Sequence, residues 1–176
     1  MGLLTRRVGL IDGVVFSGGE PVADPALADA IRDVRRLGYK TGLHSAGTHP
    51  GRLTEVLPLL DWVGLDIKAT FGNYRHVTSK ERSGDHARAS LEAVLASGVD
   101  YECRTTLHPD LLPEEEIWAL AQALSAMRVK RYALQVFRPQ GCDDDRLNAA
   151  STAGYPGDLV VEKIKALFPE FILRRA

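Results

Sequence analysis

The stretch Gly13-Val14-Val15-Phe16-Ser17, followed at once by Gly18-Gly19-Glu20-Pro21, decides the fold class. A short run of β-branched and aromatic residues that ends in a glycine pair is typical of a strand entering a tight turn. From there the chain alternates short apolar runs with longer segments of helical period. This alternation predicts an α/β protein with a parallel sheet or barrel, expected to form a single domain over residues 1–176.

The expected elements follow one another in a regular order. Strands are predicted at 13–17, 40–44, 62–65, 99–107, 131–137 and 171–174. Helices are predicted at about 25–37, 50–57 and 85–96, from 113 onward, and at about 158–168. An irregular stretch is expected at 71–82 and a polar surface loop at 139–157, because the latter is rich in Asp, Asn and Gly. Residues 1–12 are predicted to be the tail of a first helix whose own strand is absent from the chain.

The composition disfavours several classes of protein. With 22 basic and 23 acidic residues, the chain lacks the positive field with which proteins hold nucleic acid phosphates. No apolar run approaches the roughly 18 residues needed to span a bilayer, and the first residues do not resemble a signal peptide. We therefore expect a cytoplasmic protein that acts on neither nucleic acid nor membrane.

The cysteines and histidines argue against the common kinds of catalytic site. Cys103 and Cys142 lie too far apart for a CxxC half-site, so no metal site built from thiolates of this chain alone is expected. Cys103 is predicted to be a small buried hydrophobic residue. The five histidines show no HExxH spacing and no serine lies in a GxSxG elbow, which disfavours a hydrolase.

Each predicted strand ends in polar groups, and functional residues of parallel α/β proteins lie at that edge. Because side chains alternate along a strand, Asp66 and Lys68 are expected to point the same way. Such a rim suits a small zwitterionic or phosphorylated ligand. The alternative, that these are ordinary solvated strand ends with weak ion pairs, stays open. The rim residues are Gly18, Gly19, Glu20, His44, Ser45, Asp66, Lys68, Arg104, Thr106, His108, Gln135 and Arg138.

The glycine pair with its carboxylate is the most specific part of this rim. Gly18 and Gly19 allow a ligand to approach the backbone amides or the chain to turn with positive φ. Glu20 adds a negative charge beside those amides, an arrangement suited to a ligand that carries both an ammonium and a carboxylate. The stretch matches neither of the phosphate-binding patterns GxGxxG and GxxxxGK[ST].

Five segments, in order, resemble the radical S-adenosylmethionine enzymes. Over about residues 10–142 the chain is similar to activating proteins of anaerobic ribonucleoside-triphosphate reductase, relatives of the pyruvate formate-lyase activating enzyme. The resemblance implies a partial (β/α)₆ barrel that lacks its first strand. The segments are 12–21 with the GGE motif, 42–47, 62–69, 104–109 and 134–138.

The resemblance also implies roles for individual residues. Glu20 and the Gly18-Gly19 backbone would hold the methionine ammonium of S-adenosylmethionine, and Asp66 with Lys68 would engage its ribose and carboxylate region. Ser45 stands where the family usually has a threonine followed by asparagine and glycine, and here Ala46 replaces the asparagine. Further cofactor-binding positions matched by the resemblance are Arg104 and Gln135.

The family reaction needs a [4Fe-4S] cluster held by a CxxxCxxC loop. The cluster cleaves S-adenosylmethionine, and the 5′-deoxyadenosyl radical takes a hydrogen from a glycine of the partner, such as anaerobic ribonucleoside-triphosphate reductase. This sequence contains no CxxxCxxC. The resemblance therefore predicts a truncated activating enzyme that is inactive alone, with an open sheet edge at which the chain forms a homodimer. Two alternatives stay open: a module that binds S-adenosylmethionine or a partner without catalysis, and an unrelated (β/α) barrel enzyme with a phosphate-bearing substrate.

Overall fold

The structure, a computed structural model, describes residues 11–140 and 143–175. The predicted helix tail at 1–12 lies outside these ranges except for its last two residues. Within them the strands are β1 (Gly13–Phe16), β2 (Lys40–Ser45), β3 (Trp62–Asp66), β4 (Asp100–Leu107), β5 (Arg131–Val136) and β6 (Glu170–Arg174). The helices are α1 (Leu27–Arg36), α2 (Pro50–Val56), α3 (Tyr74–Thr78), α4 (Ser83–Ser97), α5 (Glu114–Ala126), α6 (Asp145–Ala149) and α7 (Asp158–Lys165).

The six strands form a parallel sheet in the order of the chain, which confirms the predicted α/β class. Each strand lies within one residue of its predicted bounds at either end. The chain divides into two compact units. The first contains residues up to Asp66 together with Asp85–Tyr101, and the second contains Ile67–Gly84 and the residues from Glu102 onward.

The first unit has an apolar face and a more open face on its three strands. In the register of the sheet Leu43 lies beside Val63 and Ser45 beside Leu65, and all four side chains are almost completely buried. This face packs with the buried residues of the helices, among them Ile31 of α1, Leu53 of α2 and Leu91 of α4. The alternation of a strand therefore directs Ser45 towards the packed face.

The opposite face of the first unit is shaped by a glycine. A Cβ placed on Gly42 would lie 3.1 Å from Val15 and 3.3 Å from the indole ring of Trp62. Trp62 also contacts His44 edge to face, with ring centroids 5.4 Å apart. Gly42 thus leaves room for the indole ring of Trp62, which a larger residue at this position would crowd.

The second unit is built in the same manner around β4, β5 and β6. Thr105 lies beside Leu134, and Ala133 beside Ile172. The core residues of this unit are almost fully buried, and they belong to strands and to the amphipathic helices α5 and α7: Leu107, Ile117, Leu120, Leu124, Leu134 and Ile164.

Two short helices were not expected from the sequence. Helix α3 interrupts the stretch 71–82, and helix α6 interrupts the stretch 139–157 that was predicted to be a loop throughout. Helix α6 begins where the carboxylate of Asp144 accepts a hydrogen bond from the amide of Arg146. Both helices have only five residues, too few to show a helical period of apolar side chains.

Among the described residues, no helix is both long and apolar enough to cross a lipid bilayer.

Candidate functional site

The turn after β1 exposes backbone in a conformation that favours glycine. Gly18 has a φ of +101° and Gly19 a φ of +55°, so side chains at these positions would be strained. A Cβ built on either glycine meets no atom within 4 Å, so the space over this turn is open. The turn ends at the half-buried Glu20. The glycine pair therefore forms a turn with positive φ, one of the two roles that the sequence allows, and its contact with a ligand stays a prediction.

The carboxylate of Glu20 is held by the loop that follows β2. Oε1 accepts a hydrogen bond of 2.9 Å from the hydroxyl of Ser45, and Oε2 accepts one of 2.8 Å from the amide of Ala46. The hydroxyl of Thr48 lies 3.4 Å from Oε2. Hydrogen bonds to an ionised acceptor are stronger than neutral ones, so this loop fixes both oxygens of the carboxylate. Glu20 thus presents an oriented negative charge beside the open glycine backbone.

The replacement of the usual asparagine by Ala46 does not affect this contact. The donor is the backbone N–H of Ala46, and any residue other than proline supplies it. Sequence reasoning did not identify this amide or Thr48 as part of the site. A strand followed by Ser, Gly and Thr could have indicated a loop in which hydroxyls bond to nearby groups.

Ser45 is a support for Glu20 rather than an exposed rim residue. Its side chain is 2% exposed, and its oxygen accepts a hydrogen bond of 3.0 Å from the amide of Gly47. The single hydroxyl proton is donated to Glu20. A ligand could therefore reach at most the remaining lone pair of this oxygen.

Asp66 is the predicted site residue at the end of β3 in the first unit. It follows Leu65, which lies beside Ser45 in the register of β2 and β3. Its side chain is half-buried. The sheet thus places Asp66 one residue beyond the level of Ser45 on the neighbouring strand.

The other predicted site residues belong to the second unit. Lys68 is half-buried, and its backbone amide donates to the phenol oxygen of Tyr74 at 3.0 Å. Arg104 lies beside Ala133 in the sheet, and Thr106 lies beside Gln135, whose amide is 3.5 Å from the Thr106 hydroxyl. Gln135 and Thr106 line a cavity of about 350 Å³ together with Val136, Phe137, Arg138, Gln140 and Arg174.

One residue of the cavity lining, Arg174, belongs to a bidentate ion pair. The guanidinium of Arg174 donates two hydrogen bonds of 2.8 Å to the two carboxylate oxygens of Glu102. Ala133 belongs to the strand between them and is too small to obstruct this pair. The pair keeps the positive charge of Arg174 compensated, so Arg138 supplies the other cationic group of the cavity lining.

His108 was predicted at the rim but serves to fix a loop. It is 2% exposed, its Nε2 lies 3.0 Å from the carbonyl of Leu147, and its Nδ1 accepts a hydrogen bond from the amide of Asp110. With Nδ1 as acceptor, Nε2 carries the proton and donates it to Leu147. His108 therefore attaches helix α6 to the end of β4.

The described residues do not fit an iron–sulfur cluster. They contain no group of three or more His, Cys, Asp or Glu side chains placed to hold a metal ion. Cys103 is fully buried, as predicted, and burial, with the neighbouring charge of Glu102, raises the pKa of its thiol to about 12. A thiol that stays protonated in a packed core is not a metal ligand. Cys142 lies outside the described residues.

Comparison with known proteins shows similarity to activating enzymes. No protein-family model matches the chain. It is 28% identical over 141 residues to a protein of Methanocaldococcus jannaschii named as a candidate glycyl-radical enzyme activating enzyme, covering 76% of this chain and 58% of that protein. It is 34% identical over 119 residues to the pyruvate formate-lyase-activating enzyme of Clostridium pasteurianum, covering 66% of this chain and 49% of that enzyme. The chain thus spans about half the length of these relatives.

Solved structures show the same fold at low sequence identity. A domain of the pyruvate-formate lyase-activating enzyme from Bacteroides vulgatus superposes with a TM-score of 0.69 at 16% identity, covering 93% of this chain and 99% of that one. SuiB of Streptococcus suis, solved with S-adenosylmethionine, gives a TM-score of 0.62 at 14% identity, covering 93% of this chain and 38% of that one. The chain is thus similar in sequence to two activating enzymes and shares its fold with these solved structures.

Proposed function

We propose that this chain provides the S-adenosylmethionine-binding rim of an activating protein for a glycyl-radical enzyme. The observation that carries the proposal is the carboxylate of Glu20, held by Ser45 and Ala46 beside the open backbone of Gly18 and Gly19. An oriented carboxylate next to free space suits the ammonium of an amino acid ligand. The similarity to two activating enzymes supports the same assignment.

The remaining rim residues are proposed to contact other parts of the ligand. By the resemblance Asp66 of the first unit would engage the ribose and carboxylate region, and the same resemblance gives Lys68, Arg104 and Gln135 of the second unit as ligand-binding residues. S-adenosylmethionine, when bound next to a reduced [4Fe-4S] cluster, supplies the radical that takes a hydrogen from a glycine of the partner. The residues of this chain bind and orient the ligand.

The cluster itself cannot come from this chain alone. The cluster of this family needs three cysteine thiolates, and the sequence has only two cysteines. One of them, Cys103, is completely buried in the core. We therefore propose that the chain by itself does not generate a radical. For the partner of the active protein we propose a cytoplasmic glycyl-radical enzyme, and more specifically anaerobic ribonucleoside-triphosphate reductase.

Calorimetric titration with S-adenosylmethionine tests the binding proposal. The wild-type chain is expected to release or absorb heat at ligand concentrations up to the millimolar range, and Glu20→Gln is expected to weaken binding by about tenfold or more because the charge is lost. Glu55→Gln is the matched control, since Glu55 is an exposed glutamate of α2 in the same unit. No heat with the wild-type chain, or equal binding by the two variants, would overturn the proposal.

A second candidate function is a binding module without chemistry. It is favoured by the burial of Cys103, which leaves the described residues without an accessible thiol. Anaerobic reconstitution with iron and sulfide tests the lack of cluster chemistry that both candidates expect of the isolated chain. A stable iron–sulfur absorbance in the wild-type chain would contradict the proposed inactivity of the isolated chain, and its absence would support it.

We also propose that two copies associate through the outer edge of β1. In the described part of the chain β1 pairs with β2 alone, and Ile11 just before this strand and Val15 on it are 42% and 49% exposed. An open strand edge with apolar side chains favours pairing with another strand. Sedimentation analysis should show a dimer that Val15→Lys dissociates. A wild-type monomer at all concentrations would contradict this proposal.

A further inference from the structure

A buried hydroxyl of helix α4 contacts the loop that holds Glu20. Ser90 is 0% exposed, and its hydroxyl donates a hydrogen bond of 2.8 Å to the carbonyl of Gly47. Its neighbours on the buried side of α4 are Ala87, Leu91 and Val94. Ser90 is therefore a polar group within an apolar helix face, and its hydroxyl bonds out of the helix to this loop.

Gly47 fits closely against Ser90. It has a φ of +69°, and a Cβ placed on it would lie 3.0 Å from the Cβ of Ser90. The helix and the loop therefore approach each other to the limit that the absence of a side chain allows. The bond from Ser90 fixes the direction of the Gly47 carbonyl at this contact.

The contact continues through Ser45 to Glu20. The amide of Gly47 donates to the Ser45 oxygen at 3.0 Å, and the Ser45 hydroxyl donates to Oε1 of Glu20 at 2.9 Å. Because an amide can only donate, the Ser45 oxygen must accept from Gly47, and its proton is free to point at the carboxylate. Ser90 thus fixes the peptide group after Gly47, and the peptide group before Gly47 donates through Ser45 to Glu20, with the Cα of Gly47 joining the two.

We infer that Ser90 is a positioning residue for the carboxylate of Glu20. It touches no part of the proposed ligand and acts through the orientation of Gly47 and Ser45. The effect on ligand affinity rests on the proposed function, whereas the hydrogen-bonded chain is a property of the first unit by itself.

Hydrogen exchange at individual amides tests the chain of contacts without a ligand. In Ser90→Ala the amides of Ala46 and Gly47 are expected to exchange about two- to tenfold faster, because the loop loses one net hydrogen bond. Ser97→Ala is the matched control: it removes a hydroxyl of the same helix that donates to the carbonyl of Val94 at 2.7 Å. Unchanged exchange at the two amides, or a uniform increase over the whole unit, would overturn the inference.

A double-mutant cycle connects Ser90 to ligand binding. Ser90→Ala alone is expected to weaken S-adenosylmethionine binding by about two- to tenfold. In a Ser45→Ala background the same change should have a smaller effect, because only the amide of Ala46 then connects the loop to Glu20. Equal losses in both backgrounds would show that Ser90 acts by another route and would contradict the inference. If the wild-type chain binds no S-adenosylmethionine, the proposed function fails, and the exchange experiment still decides the role of Ser90.

Discussion

The phenol of Tyr132 donates a hydrogen bond of 2.9 Å to the hydroxyl of Thr105, and both side chains are almost completely buried in the second unit. The Thr105 hydroxyl in turn donates to the carbonyl of Ile67 at 2.7 Å. These bonds join β4 and β5 to the segment that carries Lys68. One side chain therefore satisfies two buried polar groups.

Replacement of Thr105 by valine keeps the shape of the side chain and removes both bonds. The Tyr132 hydroxyl is then left buried without this acceptor, and the Ile67 carbonyl loses its donor. We expect a decrease of about 2–4 kcal/mol in the free energy of unfolding, measured by urea denaturation.

Thr54→Val provides the control for this loss. The Thr54 side chain is exposed, and its hydroxyl donates to the Pro50 carbonyl within α2. This change should alter the free energy of unfolding by less than about 1 kcal/mol. Similar losses in both valine variants would contradict the role assigned to Thr105, and Thr105→Ser should recover part of its loss.

Gly47→Ala tests the close contact between the loop and α4. An alanine would be strained at a φ of +69°, and its Cβ would press against Ser90. We expect a loss of about 1–3 kcal/mol in the free energy of unfolding. Gly51→Ala makes the same chemical change in α2, where a Cβ meets no atom within 4 Å. That variant should be unchanged or up to about 1 kcal/mol more stable, since alanine favours the helix. A loss of the same size in both variants would show that the effect is not specific to Gly47.

The sequence predicted the strands well because their signal is local. Runs such as residues 13–17 and 131–137 are apolar, short and bounded by turn residues, so their pattern does not depend on tertiary contacts. The sequence also placed Glu20 and Ser45 in one site. It did not predict that they bond to each other, because residues 25 positions apart meet only through the register of β1 and β2.

The residues that support the site could not be found from the sequence. Ser90 resembles any serine in a helix until the distance between α4 and Gly47 is known. His108 carried the signal of a polar strand end, but its partners at Leu147 and Asp110 make it a buried support. Helix α6 depends on the cap formed by Asp144 and has too few residues for a periodic pattern.

Glu116 should contribute stability that is lost in acid. Burial pushes the pKa of its carboxyl upward, but hydrogen bonds from the Thr70 hydroxyl, the Asn73 amide and the Thr70 backbone outweigh burial and leave the pKa below its usual value of 4.5. A pKa lowered by folding stabilises the folded state above the unfolded value, and this contribution disappears as the pH falls through the folded value.

The test compares the free energy of unfolding of wild type and Glu116→Gln between about pH 6 and pH 3. The wild-type protein should lose stability more steeply over this range, because the glutamine variant has no proton to take up at this position. Glu115→Gln, a change at the exposed neighbour on the same turn of α5, is the control and should keep the wild-type slope. Parallel curves for wild type and Glu116→Gln would contradict the prediction.

Alkaline pH should destabilise the protein through Tyr132 and Tyr155. Burial raises the pKa of both phenols above the ordinary value of 10, and for Tyr155 the charge of Glu114 contributes further. In the unfolded chain these groups release their protons near pH 10, while the folded protein retains them. The folded state then binds more protons, so the free energy of unfolding must fall as the pH rises above about 9. Each phenol that stays protonated in the folded protein lowers the free energy of unfolding by about 1.4 kcal/mol per pH unit once the same group is ionised in the unfolded chain.

Tyr132→Phe and Tyr155→Phe should each make this decrease less steep between pH 9 and 11. Each change also lowers the free energy of unfolding at neutral pH, because it removes a hydrogen bond. Urea unfolding at a series of pH values measures the slope separately from that offset. If both phenylalanine variants lose stability with rising pH as steeply as the wild type, the two phenols are not the cause of the destabilisation at alkaline pH.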